Sequence, residues 1–338
     1  MATIHDVAKA AGVSPTTVSR YINRRIELPE ATATRIDAAI SALDYRPSAL
    51  AQRLSTGKSF AVGLVAPEIR EPFFAEIASA VKDEADRHGY TVFISSTRSD
   101  RAREIASLER LADRQMDGLL LMTNSPDAAS LASVISRRRN VVVMDEDVPG
   151  VDVPRLFVEN AEGMRQATRH LIEHGHRRIA YLGGPDGLLT VSERRAGFID
   201  TMAEEGLSVP AEYLAFGSFA PEAARMATLR LLDLPLPPTA IIASSDYIAM
   251  GAVLALRDRN VSIPGDISLI AFDDAAFGAL MTPPLTAIRQ PVDLIGRRGF
   301  QLLLDLLEGR EPPRLTRLPV DLIRRHSVGA PRIKDQLS

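Results

Sequence analysis

The sequence predicts an α/β chain in three parts: a small all-α head, a short connecting segment, and a larger two-lobed, doubly wound body. Three observations carry this reading. Helix caps and apolar residues at helical spacing fill the first 47 positions. From residue 60 onward, short apolar strands alternate with helices. Charge also divides the chain: residues 1–58 hold eight Lys and Arg against five Asp and Glu, a net +3, whereas the whole chain is −3 and the remainder −6. A basic head on an acidic body suggests that the head meets an anion which the body avoids.

At 338 residues the chain is long enough for two or three domains, and 46% hydrophobic with 25% charged residues is the composition of a globular protein with a sizeable core. There is no cysteine, which excludes disulfide frameworks, thiolate zinc sites, iron–sulfur clusters and cysteine nucleophiles. No apolar run approaches the ~18 residues of a membrane span, and the first twenty residues lack a signal-peptide core, so a soluble, cytoplasmic protein without a membrane partner is expected.

In the head, Thr3 and Asp6 form a T-x-x-D capping box that opens a helix from Ile4 to Ala11, stopped by Gly12. Ser14 can cap the next helix, with Pro15 in its first turn, where a missing N–H removes nothing. There Val18 and Ile22 face inward, leaving Thr16, Thr17 and Arg20 outward. A third helix is expected from about Pro29 to Leu43, with Ile36, Ala39, Ile40 and Leu43 as its apolar stripe. Two helices joined by the tight turn Ala11-Gly12-Val13-Ser14 make a helix-turn-helix, whose second helix enters the major groove. Thr hydroxyls and one Arg suit base edges, since Arg pairs with guanine and Thr contacts the thymine methyl. Any small three-helix bundle fits the same pattern, so residue types alone leave both readings open.

In the body, strands are expected at Phe60–Ala66, Tyr90–Ser95, Gly118–Met122, Val141–Met144 and Leu156–Val158, with helices near 74–87, 101–114 and 127–138. A second series has strands at Ile179–Leu182, Ala240–Ala243, Ser268–Phe272 and Thr286–Ile288, with helices near 162–174, 193–205, 221–233 and 246–258. A last helix, about 292–308, and the strand after it cross back to the first lobe. Such alternation argues parallel sheets covered on both faces, in two lobes around a cleft that closes by hinge motion. Ligands of open α/β sheets bind outside the carboxyl ends of strands. Those ends are polar here: Glu68 to Glu71, Ser96 to Arg98, Thr123-Asn124, Asp145, Glu159-Asn160, Ser244-Ser245 and Asp273-Asp274. Carboxylates accept from adjacent hydroxyls and Arg donates to oxygen, a mix that suits a polyhydroxylated small molecule. Solvated loops at strand ends would explain part of the same polarity.

The run Thr3-Ile4-His5-Asp6-Val7-Ala8-Lys9-Ala10-Ala11-Gly12-Val13-Ser14-Pro15-Thr16-Thr17-Val18-Ser19-Arg20 resembles the N-terminal signature of the lactose/galactose repressor family of bacterial transcription regulators. So does Asp44-Tyr45-Arg46-Pro47-Ser48 followed by Ala49-Leu50-Ala51-Gln52-Arg53-Leu54, and the likeness continues to about residue 328. The resemblance implies a helix-turn-helix DNA-binding domain at 1–47, a hinge helix and linker at 48–58, and a periplasmic-binding-protein-like effector-binding and dimerisation body at 59–330. Lobe crossings are implied near 158–161, 288–292 and 318–323. It places Pro15, Thr16 and Arg20 at base-reading positions and Thr17, Tyr45 and Ser48 near phosphates, with Thr3, Ser14 and Ala51 completing the DNA-binding set. Leu54 would be the wedge that kinks the minor groove. Pro29 stands where the family usually has a capping serine, and Ser48 where asparagine is usual.

For the effector, the resemblance implies Phe74, Asp145, Glu159, Arg194, Phe219, Ser245 and Asp273. Arg194 lies three residues before Gly197, and Phe219 is the aromatic that stacks on the ligand. Glu159 replaces the usual aspartate and Ser245 a frequent asparagine, so the ligand's identity does not carry over. The partners implied are palindromic double-stranded operator DNA, bound as a homodimer, and a small polar effector, a sugar or sugar derivative. No cofactor, catalytic residue or metal is expected. A nucleobase or a corepressor protein is the alternative control within the same fold. A sugar-binding transport protein or sugar-modifying enzyme would leave residues 1–58 without a purpose. The chain ends at Ser338 without apolar heptads, which favours a dimer over a tetramer. His170-Leu171-Ile172-Glu173-His174 matches the zinc-peptidase pattern H-x-x-E-H, but Gly175 ends that helix at once, so it is read as an ordinary helix. Gly183-Gly184-Pro185 follows a strand as a phosphate loop would, but Pro185 removes an amide, so it is read as a turn.

Overall fold

The computed structural model describes residues 2–22, 26–45, 58–112, 116–125 and 128–332. The chain divides into two compact units, Met1–Ser59 and Phe60–Ser338. In the first, helices α1 (Ile4–Ala11), α2 (Pro15–Ile22) and α3 (Glu30–Ala42) enclose a core of Val7, Ala8, Ala11, Val18, Ile36 and Ala39. The Thr3–Asp6 capping box is formed, and Gly12 ends α1 in the left-handed conformation (φ 67°), which glycine adopts without Cβ strain. Thr17 N–H donates to Ser14 Oγ at 3.1 Å, capping α2. Two expectations for α3 are corrected. It starts at Glu30, because Pro29 supplies a carbonyl but no side-chain cap, and Leu43 lies past its end, 37% exposed rather than in the stripe.

The second unit holds two six-stranded sheets. The strands are β1 (Ala61–Ala66), β2 (Thr91–Ser96), β3 (Gly118–Leu121), β4 (Val141–Met144), β5 (Arg155–Val158), β6 (Ile179–Gly183), β7 (Leu214–Phe216), β8 (Ala240–Ala243), β9 (Ser268–Asp273), β10 (Thr286–Arg289), β11 (Leu315–Leu318) and β12 (Asp321–Ile323). The helices are α4 (Pro72–Arg87), α5 (Arg101–Ala112), α6 (Ala128–Ile135), α7 (Asn160–Glu173), α8 (Leu189–Glu204), α9 (Pro221–Leu232), α10 (Asp246–Asp258), α11 (Ala276–Leu280) and α12 (Val292–Leu307). The first sheet runs β11-β5-β4-β3-β1-β2, all parallel; the second runs β12-β10-β9-β8-β6-β7, parallel except for β12. Buried apolar runs such as Val141–Met144 and Ala240–Ala243 are what helices on both faces require. The chain changes sheet after β5, after β10 and again between β11 and β12. Helix α12 returns to the first lobe, where Gly296 lies against α4 so closely that a Cβ would meet Ala80 at 2.5 Å. Strands β7 and β12, three residues each, escape a periodicity reading, as does the five-residue α11. Helix α8 begins four residues earlier than expected, for a reason that lies in the other lobe.

Candidate functional site

The carboxyl ends of both sheets meet at a cavity between the lobes. From the first lobe come Glu71, Phe73 and Phe74 at the start of α4, Asn124 after β3 and Asp145 directly after β4. The second lobe contributes Thr190 and Arg194 of α8 and Phe219 ahead of α9. Ser245 at the N-cap of α10, Asp273 ending β9 and Gln290 after β10 complete the lining. The cavity is narrow, with a free volume of ≈ 30 Å³, so a sugar-sized ligand needs the lobes to part. Gly184 lets the Phe219 ring in, since a Cβ there would sit 2.5 Å from it. Gly183 ends β6 and the turn falls later, at Asp186-Gly187, so the Gly184 position serves an aromatic wall rather than the turn read from the sequence.

Arg194 is the organising side chain. It is 5% exposed; its Nε donates to Asn160 Oδ1 at 2.8 Å and its Nη1 to the Ser244 carbonyl at 2.6 Å. Asp273 Oδ1 lies 3.9 Å away, and the guanidinium stacks 3.8 Å from the Phe272 ring centroid. Asp145 (φ 68°) and Asp273 (φ 96°) both hold positive φ, uncommon for non-glycine residues and typical of strained functional positions.

Carboxylates outnumber this one cation. Burial pushes Asp145 up to about 7, with Arg194 opposing and Glu146 and Asp273 adding to the rise. Glu71 also rises to about 7, from burial and then from Asp273. Burial likewise raises Asp273 above the usual carboxylate range, against the pull of Arg194. Among the described residues, none donates a hydrogen bond to the Asp145 or Glu71 carboxylate.

Phe74, Asp145, Arg194, Phe219, Ser245 and Asp273 therefore converge on one cavity. Glu159 does not: it precedes α7, its N–H donates to the Leu318 carbonyl, and its charge acts on Arg317 instead. Ser245 lines the cavity, yet its Oγ accepts from Ile248 N–H and caps α10. Sequence reasoning did not name Phe73 or Gln290, which carry no pattern of their own.

The early start of α8 has its cause in Glu146. This residue of the first lobe is 2% exposed and accepts from Leu189 N–H (2.6 Å), Thr190 N–H (3.2 Å) and Thr190 Oγ1 (2.7 Å). Its carboxylate caps a helix of the opposite lobe, whose own N-cap, Leu188, has no side-chain oxygen. An ion pair between Arg317 of β11 and Glu193 of α8, at 2.5 Å, is a second tie across the lobes. Glu146→Ala is expected to remove ~1–2 kcal/mol of stability and to shift the lobes toward an open form. Chemical denaturation and small-angle scattering check this; an unchanged denaturation midpoint would show that the cap contributes nothing.

In the head, Thr16 and Arg20 are exposed on α2 and Pro15 and Thr17 half-buried, a face free to meet a groove. The Thr17 and Ser14 hydroxyls bond each other at 2.8 Å, and the Thr3 hydroxyl is engaged with Asp6. Tyr45 packs against the helical core. Ser48, Ala51 and Leu54 lie outside the described residues. His170 of α7 and His174, its C-cap residue, lie edge to face, and the described residues hold no group of three His, Cys, Asp or Glu placed for a metal ion.

Two family models match the chain. Residues 3–48 match "Bacterial regulatory proteins, lacI family", and residues 59–326 match "Periplasmic binding proteins and sugar binding domain of LacI family". The HTH-type transcriptional repressor PurR of Escherichia coli is 37% identical over 338 residues, covering 99% of both chains. Among solved structures, the Lac repressor dimer bound to operator and the anti-inducer ONPF is 27% identical, with a TM-score of 0.86 over 97% of this chain and 99% of the other. The complex of transcriptional regulator CelR with cellobiose is 29% identical, with a TM-score of 0.72 over 97% and 100%. No helix among the described residues is long and apolar enough to cross a membrane.

Proposed function

The chain belongs to the lacI family of bacterial regulatory proteins and is a transcriptional repressor, and from that premise we propose that it binds a palindromic operator as a homodimer and is controlled by a small, hydroxyl-rich ligand in the interlobe cavity. One observation carries the ligand reading: an immobilised Arg194, two strained aspartates and the Phe219 ring converge where the carboxyl ends of two parallel sheets meet. Carboxylates and a guanidinium serve hydroxyl donors and ring oxygens, while the aromatic wall takes the apolar face of a sugar. The cellobiose complex of a relative of similar fold supports a sugar. A nucleobase is the second reading, favoured by the flat Phe73, Phe74 and Phe219 rings beside carboxylates that can accept from ring N–H groups.

In this reading α2 lies in the major groove, with Pro15, Thr16 and Arg20 toward base edges. Thr17, Tyr45 and Ser48 then lie near phosphates, and the 48–58 segment bears Leu54 as the minor-groove wedge. Arg20→Ala is expected to weaken the preferred operator by ~1–3 kcal/mol while leaving random duplex nearly unaffected. Operator selection from a random library, followed by titration of both proteins, checks it. An equal loss on every sequence would make Arg20 a phosphate contact. Repeating the titration with sugars and nucleobases present tests the ligand reading, which fails if none alters operator affinity.

A further inference from the structure

Adjoining the cavity is a second recess, of ≈ 90 Å³ free volume, sharing Phe73, Asp273 and Gln290 with it and adding Asp246, Glu76 and the paired Asp274 and Arg289. Two of its lining residues carry orphaned acceptors. Asp246 is 4% exposed; its Oδ2 accepts from Ala275 N–H at 2.5 Å, but its Oδ1 has no partner. Gln290 is 2% exposed; its Nε2 donates to Asp273 Oδ1 at 2.7 Å, but its Oε1 has no partner. A buried acceptor left unsatisfied is unfavourable, and two around one recess point to a donor that is brought there.

The neighbouring cations do not fill that role. Arg289 and Arg325 both pair with Asp274, at 2.7 and 2.5 Å. Arg194 is held by Asn160 and Ser244. Glu71 and Asp145 in the main cavity receive no hydrogen bond from any described residue. Hydroxyl groups could satisfy the orphaned acceptors but leave this excess of carboxylate uncompensated.

We propose that the effector carries a protonated amine as well as hydroxyls, its ammonium group seated in the recess between Asp246, Asp273 and Gln290. An ammonium has three donors and no acceptor, which suits two orphaned oxygens beside a carboxylate. The shared lining lets one molecule reach from Arg194 to Asp246. This rests on the reading that the interlobe cavity takes a small effector. It narrows the class to amino sugars and other aminated polyols, and it disfavours acidic ligands, which would meet carboxylates on most sides.

The test uses the full-length protein and three matched series, gluco, galacto and manno, each as the 2-amino-2-deoxyhexose, its N-acetyl derivative and the parent hexose. Calorimetry at neutral pH is expected to show, in at least one series, the amine binding tenfold or more tighter than both neutral members. Asp246→Asn, its fold checked by circular dichroism, is expected to abolish that advantage. Amine and neutral members binding equally, or no amine binding at all, would overturn the proposal. So would an advantage that survives in Asp246→Asn. Operator titrations with the same compounds separate the two levels. A neutral sugar that shifts operator affinity at concentrations where its matched amine does not would overturn the amine and leave the effector reading standing. A ligand bound in the cleft without any effect on operator affinity would instead count against the effector reading itself.

Discussion

Arg194→Ala is expected to remove ~3–5 kcal/mol of stability, because breaking a buried pair leaves its partners charged and uncompensated. The guanidinium holds Asn160, the Ser244 carbonyl and Asp273 together, and is the cation that opposes the raised affinity of Asp145 and Asp273 for protons. Without it two carboxylates face each other across the cavity and the Phe272 ring loses its stacking partner. Urea denaturation followed by circular dichroism at pH 7 measures the loss; a change below ~1 kcal/mol would mean that Arg194 is held by the site rather than holding it. Since such a variant is damaged before any ligand arrives, it is a test of architecture, and a cleaner probe of binding is needed.

Asp145→Asn supplies that probe, with the opposite sign for stability. Its carboxylate lacks a hydrogen-bond partner among the described residues and is pushed up from 3.8 to about 7 by burial. A carboxylate whose affinity for protons is higher folded than unfolded destabilises the fold once ionised. The penalty is absent below about pH 4, grows as the pH rises, and is complete above pH 7. A shift of this size corresponds to ~4 kcal/mol, which partial exposure to the cavity lowers to ~1–3 kcal/mol. Asn keeps the shape, tolerates the positive φ and carries no charge. The variant is therefore expected to match wild type near pH 4 and to melt higher at pH 8, while its ligand affinity falls about 10- to 100-fold with the lost charged acceptor. Thermal melts across pH 4–8 check the first part and calorimetry the second. A variant that melts lower than wild type at pH 8 would show that the carboxylate has a stabilising partner.

Much of this was legible in the sequence. Val141–Met144, Ala240–Ala243 and the helix 246–258 are as long as the sequence suggests: the two strands are continuous buried apolar runs, and the helix has its cap, Ser245, next to it in sequence. Helix α8 differs: its first turn is capped by Glu146, forty-three residues upstream and in the other lobe, so no local pattern announces it. Asp145 and Asp273 stand at strand ends, where polarity points to them, whereas Arg194 is named only through the family resemblance. Glu71 falls within the polar strand-end stretch 68–71, but Phe73 and Gln290 are ordinary residues that line the cavity only because two lobes meet, and Asp246 reads simply as the start of a helix. Glu159 misled because polarity at a strand end does not say which way the chain turns next. After β5 the chain enters α7 beside β11, where Asn160 rather than Glu159 reaches the cavity's Arg194.

Control of the head by the cavity is tested most directly by reciprocal titration. Operator affinity is measured with and without saturating ligand, and ligand affinity with and without saturating operator, for wild type and Asp145→Asn. In wild type both ratios are expected to agree, at a coupling of ~5- to 150-fold, because linkage makes the effect of each partner on the other equal. In Asp145→Asn, at a ligand concentration that half-fills the wild-type cleft, operator affinity is expected to stay near its ligand-free value. Wild-type operator affinity that stays constant while ligand fills the cleft would contradict allosteric control.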